Sequence, residues 1–192
     1  MILLDPDLDP DPPSRSKDTL RATAAKRTGA PGRLAVSPAQ RVPSARTLAR
    51  FLSEAQSAVR LRGEVTVLLT TDAAIRKLNR KFRGIDKATD VLSFPADAMP
   101  GFEIAGDLAI SIPTAARQAG EQGHKLSVEV KVLMLHGLLH LAGYDHETDT
   151  GQMARRERLL RGRLGLPKGL IERAAKEPMK KSHVVNGRSK RS

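Results

Sequence analysis

The stretch HGLLHLAGYDH, from His136 to His146, holds three of the chain's five histidines. His136 and His140 are four apart. On a helix that spacing stacks two side chains on one face, about one turn apart. Gly143 can then break the helix in a left-handed cap and bring His146 back to the same point. Three neutral imidazoles converging in this way are the donor set of an open zinc site, with a fourth position left to water. An ion held there lowers the pKa of that water from about 15.7 to about 7, so hydroxide is available at neutral pH. A single histidine on an apolar helix is ordinarily a hydrogen-bonded core residue. Three at these offsets are harder to explain, because burying them unpartnered costs on the order of a few kcal/mol. The expected ligands are therefore His136, His140 and His146, around one Zn2+ or another divalent ion. His124 and His183 stand in no comparable context.

The same spacing occurs in the long zincin motif of metalloproteases, which places a glutamate directly after the first histidine as general base. Here that position is Gly137, which cannot accept a proton. This disfavours a peptidase. A glycine there is expected to clear space beside the metal for a bulkier substrate.

These ligands need a helix and a turn to position them, and the flanking pattern supplies both. Ser127 is a candidate cap for a helix from Val128 to about Ala142. Upstream, Leu48, Phe51, Leu52, Ala55 and Val59 recur at helical spacing, which predicts an amphipathic helix over Ser44–Leu61. EVTVLLT, Glu64–Thr70, is β-branched and apolar and reads as a buried strand. Asp72 is a candidate cap for a helix through Phe82, with Ile75, Leu78 and Phe82 as its inner stripe and Gly84 as its end. Strands are expected over Asp90–Pro95 and Gly106–Ile112. Pro113 opens a helix to about Gly120, and a last helix runs from about Thr148 to Leu164. Met1–Leu4 fits a short first strand. The expected organisation is a mostly flexible segment over 1–45, a catalytic domain over 46–167 and a basic disordered tail over 168–192.

The net charge of +12 is unevenly spread. Residues 14–50 carry nine Lys or Arg against Asp18, and 168–192 carry eight against two glutamates, while 51–150 is nearly neutral. Basic flanks suit a polyanion, most often nucleic acid; a solvated tail that aids solubility is the bland alternative. The chain has no cysteine, which rules out disulfides and thiolate metal sites and suits a reducing cytoplasm. No apolar run is long enough to span a bilayer, and four apolar residues before Asp5 make no signal peptide.

Together with RGIDKATDVLSFP, Arg83–Pro95, and GDLAIS, Gly106–Ser111, the histidine stretch resembles the YbeY-type endoribonucleases, the rRNA maturation factors. The three motifs occur in the family's order over about residues 64–150. The resemblance implies an α+β fold: a small mixed sheet of about four strands packed by about five helices, with a zincin-like metal helix. It implies a zinc ion on His136, His140 and His146. It implies a cytoplasmic, single-strand-specific endoribonuclease acting on 16S rRNA precursor at the ribosome or small subunit, in 3′-end maturation and quality control. Two positions depart from the family pattern: Ala88, where proline is usual, and Ala105, where a leucine-like residue is usual.

The segment RKLNRKFRGIDK, Arg76–Lys87, carries six bases and one acid. Most of them suit a solvated face or general phosphate contacts. Arg83 differs, because it stands at the helix end, where a planar guanidinium could fork onto phosphate oxygens. The resemblance also places the family's functional arginine there. Arg83 and His136 form the expected catalytic set. Asp107 and Asp145 could each fix a histidine tautomer or merely cap a turn. With only one tyrosine, four phenylalanines and no tryptophan, a base-stacking platform is not expected, so RNA would be held by charge and shape. Two rivals remain: another metal-dependent hydrolase, and a non-catalytic ribosome-assembly protein with a structural metal.

Overall fold

The computed structural model describes residues 1–8, 42–96, 103–146 and 148–167. The expected flexible stretch, as far as it spans 9–41, and the expected disordered tail lie outside them.

Four strands, β1 (Ile2–Leu4), β2 (Glu64–Thr70), β3 (Val91–Pro95) and β4 (Ile104–Ser111), form one mixed sheet in the order β1-β2-β4-β3. β1, β2 and β4 run parallel, and β3 lies antiparallel at the edge. The five helices are α1 (Ala45–Val59), α2 (Asp72–Arg83), α3 (Ile112–Glu121), α4 (Leu126–Leu141) and α5 (Gln152–Leu164). This is the expected α+β class. After β1, Pro6–Leu8 forms one 3-10 turn, and Leu8 packs against the core. Among the described residues no helix is long and apolar enough to cross a membrane.

Alternation along the strands divides the sheet into two faces. Val65, Val67 and Leu69 of β2 and Leu108 and Ile110 of β4 join the main core with α1, α4 and α5. Leu92 and Ala109 face the other way and meet Ile75 of α2 in a smaller cluster. α4 lies in the middle of the larger core and is buried almost all round, including Leu133, Met134, Leu135, Leu138 and Leu139. A helix apolar on every side belongs inside a domain. The stripe foreseen for α1 is the buried one, all five residues included.

Several local expectations are corrected. Ser127 does not cap α4. The helix begins two residues earlier than expected, at Leu126, after Lys125, with no side-chain cap. Thr71, not Asp72, caps α2. Asp72 is instead drawn to the start of α3, where it accepts from the hydroxyls of Ser111 and Thr114 and from Arg117. Phe82, the last residue of the expected stripe of α2, meets Phe94 of the small cluster but is not buried, being 57% exposed. α5 starts at Gln152 rather than Thr148, after Gly151 in the left-handed region as its N-cap, and Asp149 just before it takes up the first amides. The Asp149 carboxylate accepts from the amides of Gly151 (2.6 Å), Gln152 (3.1 Å) and Met153 (2.6 Å). These bonds, the Met153 amide foremost, hold it below the usual carboxylate range.

Candidate metal centre

The C-terminal turn of α4 and the bend after it position the three histidines. The amide of Gly143 donates to the His140 carbonyl and that of Tyr144 to the Leu139 carbonyl, each at 3.0 Å. This is the double bond pattern of a Schellman cap, and it requires the left-handed backbone that Gly143 adopts at φ 86°. The chain therefore leaves α4 at a sharp angle and returns His146 beside the other two. The ring centroids lie 4.9, 5.2 and 5.2 Å apart, with interplanar angles of 59–70°. The rings form a near-equilateral propeller. Their candidate donor nitrogens all fall within 4.8 Å of one another.

This set fits a tetrahedral ion. Zn–N bonds of about 2.0–2.1 Å put neighbouring donors about 3.3 Å apart; the Nε2 atoms of His136 and His140 are 3.2 Å apart. Burial is graded across the site: His136 is buried, His140 half-buried and His146 exposed. The open side of the propeller is thus the His146 side. Among the described residues no carboxylate joins the cluster as a fourth ligand.

Behind His136 stands Glu157 of α5, its Oε1 3.1 Å from Nδ1, with side-chain exposures of 6% and 1%. A carboxylate only accepts, so Nδ1 carries the hydrogen and Nε2 presents its lone pair to the other rings. This is the carboxylate–histidine arrangement that orients metal ligands. The second oxygen of Glu157 is buried without a hydrogen-bond partner, which leaves negative charge that a cation on His136 would offset. His140 is pushed from 6.5 to about 4, first by burial, then by His136 and His146, against Asp145 and a hydrogen bond to the Tyr144 backbone. It is therefore neutral, as a ligand must be, throughout the physiological range.

Glu157 was not anticipated. Its signal in the sequence was its isolation: it is the one acid among the five arginines of residues 151–167. Asp107 does not take that place. It is exposed on β4, between buried Gly106 and Leu108, on the face turned away from α4. Asp145 is a turn residue whose side chain accepts from the Thr148 hydroxyl at 2.9 Å.

Gly137 does not clear space beside the histidines. It faces the sheet, where a Cβ would lie 2.7 Å from Leu108 Cδ2 and 3.2 Å from Ser93 Oγ. Its role is close approach of α4 to β3 and β4, and the Ser93 hydroxyl donates to its carbonyl at 3.4 Å.

Arg83 is the last residue of α2 and is exposed. Its chain neighbour Phe82 meets Phe94 of β3 edge to face at 5.1 Å, and the residue before Phe94, Ser93, bonds Gly137, between the first two ligands.

Fold and site together define an α+β domain whose histidine centre can hold a divalent ion. Its sequence places it among known proteins: the chain belongs to the family described as Endoribonuclease YbeY, whose model matches residues 39–165. A relative of that name from Koribacter versatilis is 52% identical over 139 residues, covering 72% of this chain and 89% of its own. Another, from Solibacter usitatus, is 52% identical over 124 residues, covering 65% and 82%. A solution structure from Thermotoga maritima, 25% identical, superposes with a TM-score of 0.46 over 77% of this chain and 96% of its own.

Proposed function

We propose that the protein is a metal-dependent endoribonuclease specific for single-stranded RNA, acting in the cytoplasm on 16S rRNA precursor in 3′-end maturation and ribosome quality control. Its catalytic domain spans 46–167. The metal, zinc or another divalent ion, is held by His136, His140 and His146. The observation that carries this is the propeller of three imidazoles, backed by buried Glu157 and open at His146. A structural ion normally has four protein ligands, so the three-donor set favours catalysis over the assembly-factor alternative.

When bound, the ion supplies Lewis acidity at the phosphodiester. The protein's own groups do the rest. Glu157 fixes the His136 tautomer and ring angle. Arg83 clamps the scissile phosphate and offsets the charge that grows on it in the transition state. The family's name supports RNA as substrate. A peptidase remains disfavoured, because position 137 has no side chain and no room for one beside Leu108.

The test is elemental analysis of the purified protein, with cleavage of single-stranded RNA before and after chelation. His140→Ala should strip the metal and abolish cleavage. If that variant, metal-free, cuts RNA as the parent does, the proposal fails.

A further inference from the structure

The structure puts two of the four phenylalanines where composition gave no reason to expect them. Phe82 is 57% exposed near the end of α2, a helix with five bases and one acid. Its ring rests edge to face on Phe94, which is itself packed against the small cluster of Ile75, Leu92 and Ala109. Phe82 is thus held firmly on one side and open on the other. The Phe94 contact stabilises part of the ring and leaves more than half of the residue exposed to solvent.

Its surroundings are cationic. Lys77, Arg80, Lys81 and Lys87 are all exposed on or just after α2, and the Lys81 ammonium lies 5.0 Å from the centroid of Phe82. Asp86, the acid of this stretch, is neutralised by a bidentate bond from Arg76 at 2.8 and 2.7 Å. An exposed aromatic ring among cations is the pairing that holds single-stranded nucleic acid, with bases on rings and phosphates on charges. The position suits the site as well. Phe94 and Ser93 are neighbours on the edge strand of the sheet, one turned to Phe82 and the other to Gly137. Across that strand from the aromatic pair lies Gly137, the residue after His136.

We propose that Phe82, braced by Phe94, is a stacking platform for one unpaired nucleobase of RNA that crosses the β3 edge toward the histidine centre. This rests on the endoribonuclease reading above and deepens it. Lys81 swings from the ring face to the phosphate of the stacked nucleotide. A paired base cannot offer its face in this way, so the platform is one source of preference for single strands.

The chain has no tryptophan, so Phe82→Trp in the full chain provides a single reporter. Binding is measured on chelator-treated protein, which separates it from metal chemistry. Oligoadenylate should quench the tryptophan saturably, and an abasic ribose-phosphate oligomer of equal length should not. Phe82→Ala and Phe82→Leu should each weaken binding of single-stranded RNA about 5- to 100-fold, with the salt dependence unchanged. Lys81→Ala should instead flatten that dependence. Matching unfolding midpoints verify that the variants fold. Equal quenching by both oligomers, or Phe82→Leu binding RNA as the parent does, overturns the platform. If the parent cleaves RNA in that case, the enzyme reading survives. If Phe82→Ala leaves RNA affinity untouched but loses a protein partner, the face belongs to protein and the proposal is wrong. If the parent neither binds nor cuts RNA, both fall.

Discussion

Glu157 and His136, twenty-one residues apart, meet in the core with 3.1 Å between Oε1 and Nδ1. The contact joins α5 to α4 and sets which nitrogen of His136 faces the other two rings. Glu157→Gln keeps the shape but removes the charge, and its amide can turn a donor toward the ring. Metal affinity should fall about 10- to 100-fold. Competition against a chromogenic chelator reads this directly. An affinity equal to the parent's would make the pair a packing feature only.

His140 has its folded pKa lowered to about 4 against 6.5 for the free side chain. Between those values the unfolded chain binds a proton that the folded chain refuses. The stability of the metal-free protein should therefore be fully present above pH 6.5 and fall as pH drops toward 4. Urea unfolding at pH 7.5, 6 and 5 measures the slope, and His140→Gln should flatten it. A variant with the parent's slope would assign the effect elsewhere.

Gly137 is where α4 lies against β4. Alanine there puts a methyl 2.7 Å from a methyl of fully buried Leu108. Overpacking of this kind costs about 1–3 kcal/mol. Leu108→Val should recover part of the loss, so the double variant is more stable than the sum of the singles predicts. Strict additivity in thermal or urea unfolding would rule out the contact.

Arg83 is exposed and its removal leaves the core intact. Arg83→Glu should retain metal and fold, and lose about 100- to 1,000-fold in kcat on single-stranded RNA. Turnover within twofold of the parent would take Arg83 out of the mechanism.

What was legible in the sequence was what depends on neighbours along the chain. The apolar stripe of α1 and the β-branched run of β2 report one buried face each. The histidine spacing and Gly143 give the turn that closes the site. What depends on distant packing was not legible. Glu157 matters because α5 docks beside α4, and nothing in the local pattern of α5 names its partner. Phe82 reads as core by periodicity, but a stripe is buried only as far as the surface opposite it extends. Gly137 was assigned to the ligand side, although its neighbour across the gap, Leu108, lies on a strand 29 positions earlier. The cap of α2 reads as Asp72 in sequence and is its neighbour Thr71 in the structure, because the side chain that serves as cap is chosen by geometry.

α5 begins just past Asp149, whose carboxylate holds its first amides at the end of the bend carrying His146, and goes on to supply Glu157. This helix therefore holds the most buried ligand through Glu157 and follows directly on the bend that carries the most exposed one. Loading the ion and seating the helix are thereby linked. A chelated sample should expose the Arg155–Arg163 segment to trypsin, and the same segment should become resistant once zinc is restored.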